Sequence, residues 1–148
     1  MEYKNYELDS RKLDTINGSS KNKIRNPKQI RNPKNKTYDL EDRTLKFTLD
    51  IRRYIKQIPR TMVVKDACEQ LIRSSGSIGA NYIEANENLG KKDFRMRIKI
   101  SRKEAKESAY WLTVILDNCA SNRKEGERLF MESKELVLIF GAILRNSQ

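Results

Sequence analysis

From Phe94 to Cys119, apolar and small residues recur with a period that only a helix can use. Phe94, Ile98, Ser101, Ala105, Ser108, Leu112, Ile115 and Cys119 follow one another at spacings of 4,3,4,3,4,3,4. A heptad seam of this kind draws one line along a helix, and that line is buried only by other helices lying lengthwise against it. Lys92, Arg95, Lys99, Arg102 and Lys106 repeat the same spacing one position on, which places them about 100° further round the helix. One helix therefore carries a packing face and, beside it, a positive edge.

The rest of the chain supplies the partners. Asp39 is a candidate N-cap for a first helix from about Leu40 to Gln57, with Phe47, Ile51, Tyr54 and Ile58 on one face and Pro59 as its stop. A second helix is expected from about Met62 to Asn88, with Val64, Cys68, Leu71, Ser75, Ile78 and Tyr82 inward and Gly90 marking its end. The seam helix is third. Asn122 and Glu125 form a capping-box-like start for a fourth, running to about Arg145. Four long helices with short connections predict an all-α, up-down-up-down four-helix bundle over residues 37–148.

Two stretches bear on how the helices meet. Ser74-Ser75-Gly76-Ser77-Ile78-Gly79-Ala80 is rich in poor helix formers, and Ser101, Ala105 and Ser108 keep the seam helix slim at its own middle. Close packing of the two slim stretches is the expected arrangement; the alternative is a break or ligand loop over Ser74–Gly79. The fourth helix is apolar almost all round, through Leu136, Val137, Leu138, Ile139, Phe140, Ala142, Ile143 and Leu144. A bundle buries one side of a helix, so Leu136, Leu138, Ile139 and Ile143 are expected at the interface of a homo-oligomer.

The first 36 residues have a different character. They hold ten Lys/Arg and four acids, so they carry +6 of the net +11 and leave +5 for the rest. Ile24-Arg25-Asn26-Pro27-Lys28 recurs as Ile30-Arg31-Asn32-Pro33-Lys34, and the two prolines oppose helix formation. Residues 1–36 read as a disordered basic arm, either a nucleic-acid-binding extension or a plain leader or linker.

Composition excludes much chemistry. The chain has no histidine, hence no Ser-His-Asp or Cys-His arrangement and no imidazole ligand. Its six glycines form neither GxGxxG nor GxxxxGK[ST]. Cys68 and Cys119 lack a CxxC neighbour, so they read as buried thiols in a reducing compartment. Glu84, Glu87, Glu104 and Glu107 are carboxylates without the Glu-x-x-His pattern of a di-metal bundle, and read as partners of nearby Arg/Lys or as buried acids. No catalytic residue, metal or cofactor is expected. MEYKNYELDS does not resemble a secretory signal, and Leu136–Leu144 is too short to span a bilayer, so the cytoplasm is the expected location.

The net charge of +11 points to a polyanion partner, RNA or DNA. Lys92, Arg95, Lys99, Arg102 and Lys106, extended by Arg73 and Lys91, are the candidate phosphate contacts; the competing reading is a solvated face. Tyr82, Tyr110 and Trp111 lie near seams, as core residues or as platforms for bases.

The block from Gln70 to Glu87, with Ser77-Ile78-Gly79-Ala80-Asn81 at its centre, is followed by Lys92-Asp93-Phe94, by Ile100–Ser108 and by Tyr110-Trp111-Leu112. This set resembles the 23S rRNA-intervening-sequence protein family, whose relatives include the accessory variability protein of diversity-generating retroelements. The resemblance covers about residues 40–146. It implies a small bundle that assembles as a ring-like homopentamer with a basic surface and no enzymatic activity. It also implies, for the retroelement relatives, binding to nucleic acid and to a reverse transcriptase.

Overall fold

A computed structural model describes residues 40–147 and contains four helices: α1 (Leu40–Ile55), α2 (Met62–Asn86), α3 (Lys91–Asn118) and α4 (Arg123–Asn146). The expected arm over 1–36 and the expected cap Asp39 lie outside the described residues. Cross-helix contacts show that sequence neighbours run antiparallel. Glu41 meets Asn86 while Thr48 meets the Ser75 carbonyl. Arg97 meets Asn81 while Ser108 meets Ser74. Arg95 meets Leu144 while Arg123 meets Leu116. The fold is the expected up-down-up-down bundle.

The seam is the spine of the core. Ile98, Ser101, Ala105, Ser108, Leu112 and Ile115 are buried, with Phe94 and Cys119 half-buried at the two ends. Phe47, Ile51 and Tyr54 from α1, Leu71 and Ile78 from α2, and Leu129, Leu136 and Phe140 from α4 close around them. Tyr82 meets Phe140 edge to face at 5.7 Å between ring centroids.

Helix α2 runs without a break through Ser74–Gly79, so the expected alternative of a loop is excluded. The small residues are there because α2 and α3 approach closely. Ser74 Oγ and Ser108 Oγ share a hydrogen bond of 2.8 Å, and Ser101 Oγ donates to the Ile78 carbonyl at 3.0 Å. These hydrogen bonds offset the cost of burying the hydroxyls. On the other flank, a Cβ at Gly79 would stand 3.1 Å from Thr44 Oγ1, which keeps α1 close to α2.

Three local expectations are corrected. Asn122 does not build a capping box: its backbone is left-handed at φ 51°, and its amide donates to Gln57 Oε1 at 2.6 Å instead. Glu125 is taken by Arg128. Gly90 does not close α2, which ends at Asn86 with Glu87 as C-cap; it opens α3 at φ 153°, where a side chain would be strained. Leu136 is 0% exposed and belongs to the core, so it cannot line an oligomer interface. Helix α4 satisfies most of its apolar girth within one chain: Val137, Ile143 and Leu144 pack against the core, Ile139 is half-buried, and Leu138 remains 41% exposed.

Candidate nucleic-acid interface

The ion pairs of the bundle are unevenly distributed. On the α1–α4 side, Arg43 donates to Glu132 at 2.6 Å and to Glu135 at 2.5 Å. Asp50, nearly buried, accepts from Lys46 at 2.6 Å, Arg53 at 2.8 Å and Arg128 at 2.8 Å. Burial alone would raise the Asp50 carboxyl, but the hydrogen bonds from Lys46 and Arg128 outweigh it and hold the group below its ordinary value. The Arg128 hydrogen bond likewise lowers Glu125, and carboxylate partners raise Arg43 and Arg128 further. On this side Arg43, Lys46, Arg53, Arg123 and Arg128 are paired with acids, while Arg52, Lys124 and Lys134 are in no ion pair among the described residues.

Helix α3 behaves differently on its two flanks. Toward α2, Arg97 is held by Glu84 and by Asn81 Oδ1, and lies 3.8 Å from Asp93. Toward α4 and outward, the predicted stripe has no carboxylate partner among the described residues. No ion pair there involves Lys91, Lys92, Arg95, Lys99, Arg102 or Lys106.

The stripe also divides in two. Lys92, Lys99 and Lys106 are exposed and repeat every seven residues, so they share one outward line about 10 Å apart. Arg95 and Arg102 are half-buried and lean onto α4. Arg95 Nη1 donates to the Leu144 carbonyl and to Ser147 Oγ, each at 3.1 Å. Arg102 Nε is buried with no hydrogen-bond partner. Lys91, Lys92, Arg95, Met96 and Lys99 line a shallow open hollow of about 540 Å³ at the start of the helix. Arg73 is exposed on α2, which meets the opposite flank of α3 through Ser74, Ile78 and Asn81; it stands apart from the stripe.

The remaining candidates sort as follows. Tyr82 is core, whereas Tyr110 is 60% exposed and meets Trp111 edge to face at 4.8 Å. Glu107 accepts from Trp111 Nε1 at 3.3 Å rather than pairing with a cation, and burial with Glu107 nearby raises Glu104. No group of three or more Cys, Asp or Glu able to hold a metal occurs among the described residues. No helix there is long and apolar enough to cross a membrane. Arg145 and Gly141, which sequence spacing did not single out, stand beside Arg102: a Cβ on Gly141 would lie 3.5 Å from Arg102 Nε and 3.5 Å from Arg145 Nη1.

The fold and this flank define a four-helix bundle whose third helix carries a basic edge with no ion pair among the described residues. The family model of the 23S rRNA-intervening sequence protein matches residues 36–141, and the chain belongs to that family. Among solved structures it is similar to a protein of unknown function from the S23 ribosomal protein family of Bacteroides thetaiotaomicron. The two share 28% identity over 71% of this chain and 97% of the other, with a TM-score of 0.62. No curated protein matches the chain.

Proposed function

We propose that this protein is a non-catalytic nucleic-acid-binding module that acts as a homo-oligomer in the cytoplasm, with RNA as its polyanion. One observation carries the reading: most cations between α1 and α4 are paired with acids, while the Lys92–Lys99–Lys106 line and the arginines beside it form a continuous row with no ion pair among the described residues. Like charges at this spacing repel, and a bound row of phosphates relieves them. Contacts of this type read backbone rather than bases, so binding is salt-sensitive and weakly sequence-specific. Five subunits are proposed, the ring-like homopentamer that the chain's resemblance to the family implies. The runner-up is an adaptor for a protein such as a reverse transcriptase. Leu45 and Leu49 on α1, Ile83 on α2 and Leu138 on α4 are among the exposed apolar side chains available to it.

The test is the triple variant Lys92→Glu, Lys99→Glu, Lys106→Glu. All three side chains are exposed, so the melting temperature is expected to stay within a few degrees of wild type. RNA affinity is expected to fall by about a hundredfold or more at low salt. Retained affinity would overturn the reading.

A further inference from the structure

We infer that Arg102 and Arg145, with Arg95 beside them, form a seat for a single phosphate oxyanion in the groove between α3 and α4, over Gly141. The inference deepens the nucleic-acid reading and rests on it only for where the phosphate comes from.

Two guanidinium groups, Arg102 and Arg145, converge over Gly141 in the C-terminal half of α4, and a third, Arg95, reaches the end of the same helix. Arg102 Nε and Arg145 Nη1 would each lie 3.5 Å from a Cβ on Gly141, so they are at most about 7 Å apart, inside one Debye length. Arg95 precedes Arg102 by two helical turns on the same flank of α3 and reaches the Leu144 carbonyl one turn past Gly141. No carboxylate pairs with Arg95, Arg102 or Arg145 among the described residues.

The end of α4 explains only part of this. Exposed carbonyls and the helix dipole attract cations there, which accounts for Arg95 at the Leu144 carbonyl. It does not account for Arg102. That side chain lies against Gly141, above the last turn, and its Nε is buried with a proton it donates to nothing. A buried donor of a charged group left open in this way carries a large desolvation cost unless an acceptor arrives. Gly141 carries no side chain to hold the two arginines apart, since a Cβ there would already stand in van der Waals contact with both, and an anion is received by the guanidinium groups turning outward from this position. An acceptor that serves several forked donors at once is a tetrahedral oxyanion, for which guanidinium geometry is suited. A phosphate has enough oxygens for Arg102 Nε, Arg145 and the free edge of Arg95 together.

The seat lies beside the outward lysine line, so a nucleic-acid strand following Lys92–Lys99–Lys106 would have one phosphate within reach of the groove. The same seat would accept free phosphate.

The experiment uses the full chain, wild type and Arg145→Gln, with the Lys92/Lys99/Lys106→Glu variant alongside. Thermal melts are followed with inorganic phosphate, at constant ionic strength against chloride. RNA binding is followed by anisotropy and assembly by light scattering. The seat predicts that phosphate raises the wild-type melting temperature by several degrees and does not raise that of Arg145→Gln. It also predicts that Arg145→Gln weakens RNA binding about tenfold, the scale of one charge-assisted hydrogen bond. Phosphate stabilisation that depends on Arg145, with no RNA binding by any variant, supports the seat and refutes the nucleic-acid reading. RNA binding that depends on the lysines, with no phosphate effect and no effect of Arg145→Gln, overturns the seat and leaves that reading standing. A change in subunit number in Arg145→Gln without phosphate stabilisation also overturns it, since the arginines would then receive a carboxylate of a second copy.

Discussion

Gly126→Ala is the most demanding test of the packing. Gly126 sits in the first turns of α4, facing α1 and α3. A Cβ there would lie 2.5 Å from Tyr54 Oη, 2.7 Å from Leu116 Cδ2 and 2.9 Å from Tyr54 Cζ. Tyr54 is 1% exposed and enclosed on all sides, so it cannot swing away as a surface side chain would. Three contacts below 3.0 Å put the overpacking cost near the upper end of the usual range, about 3 kcal/mol. Alanine recovers about 1 kcal/mol through helix propensity, leaving a net loss of about 2 kcal/mol. Gly76→Ala is the matched control. It lies within α2, a Cβ there would meet nothing within 4 Å, and it keeps only the propensity gain of about 1 kcal/mol. Propensity cancels between the two variants, so their gap is the overpacking cost alone, about 3 kcal/mol or 10 °C and more in melting temperature for a domain of this size. Urea and thermal unfolding of both variants measure it. Adding Tyr54→Phe to Gly126→Ala removes the shortest contact and is expected to restore part of the loss. If Gly126→Ala and Gly76→Ala unfold within 0.5 kcal/mol of each other, a threshold set by ordinary surface substitutions, the Tyr54–Gly126 slot is wrong.

Other consequences follow from the same contacts. Tyr54→Phe removes a buried hydroxyl that has no partner and is expected to cost less than about 0.5 kcal/mol at neutral pH. Burial, with Cys119 and Cys68 nearby, pushes the Tyr54 hydroxyl up to about 12. An unfolded chain releases that proton near pH 10, so this site's contribution is intact below pH 10 and wild type loses about 1.4 kcal/mol per pH unit through it from there to pH 12; urea titrations should find no such loss in Tyr54→Phe. Asp50→Asn weakens the tie between α1 and α4 and is expected to cost roughly 1–2 kcal/mol above pH 5, a difference that vanishes in acid as Asp50 is protonated in wild type. Ala105→Leu forces a larger side chain into a fully buried position between slim helices and should lower stability by about 1–3 kcal/mol in chemical unfolding.

The seam made the fold legible. Eight residues at alternating four and three spacings fix a helix, its buried line and the need for partner helices, and the slim stretches of α2 and α3 meet as their small side chains suggest. What sequence spacing could not show depends on residues far apart in the chain. The slot of Gly126 is shaped by Tyr54, which stands on another helix. Asn122 has the composition of a cap, yet its partner is Gln57 in the α1–α2 connection. Leu136 was misplaced for a different reason: a helix apolar all round has no phase, so its pattern cannot say which side faces the core. The basic stripe was visible as a spacing, but its division into outward lysines and inward arginines is set by where α4 lies. Nothing in the sequence around Arg145 signals Arg102, because the two meet only through the packing of α4 on α3.

The central claim is that the un-neutralised edge of α3 binds phosphates, and a salt titration of RNA binding tests it most directly. Wild type and the Lys92/Lys99/Lys106→Glu variant are compared by anisotropy on one single-stranded RNA across a range of monovalent salt. Each phosphate contact contributes about 0.7 to the slope of log affinity against log salt for a single strand. Phosphate binding at this edge predicts steep wild-type dependence and a slope shallower by about 2 in the variant, reflecting three lost contacts. Equal slopes in the two proteins, or wild-type affinity insensitive to salt, would contradict it.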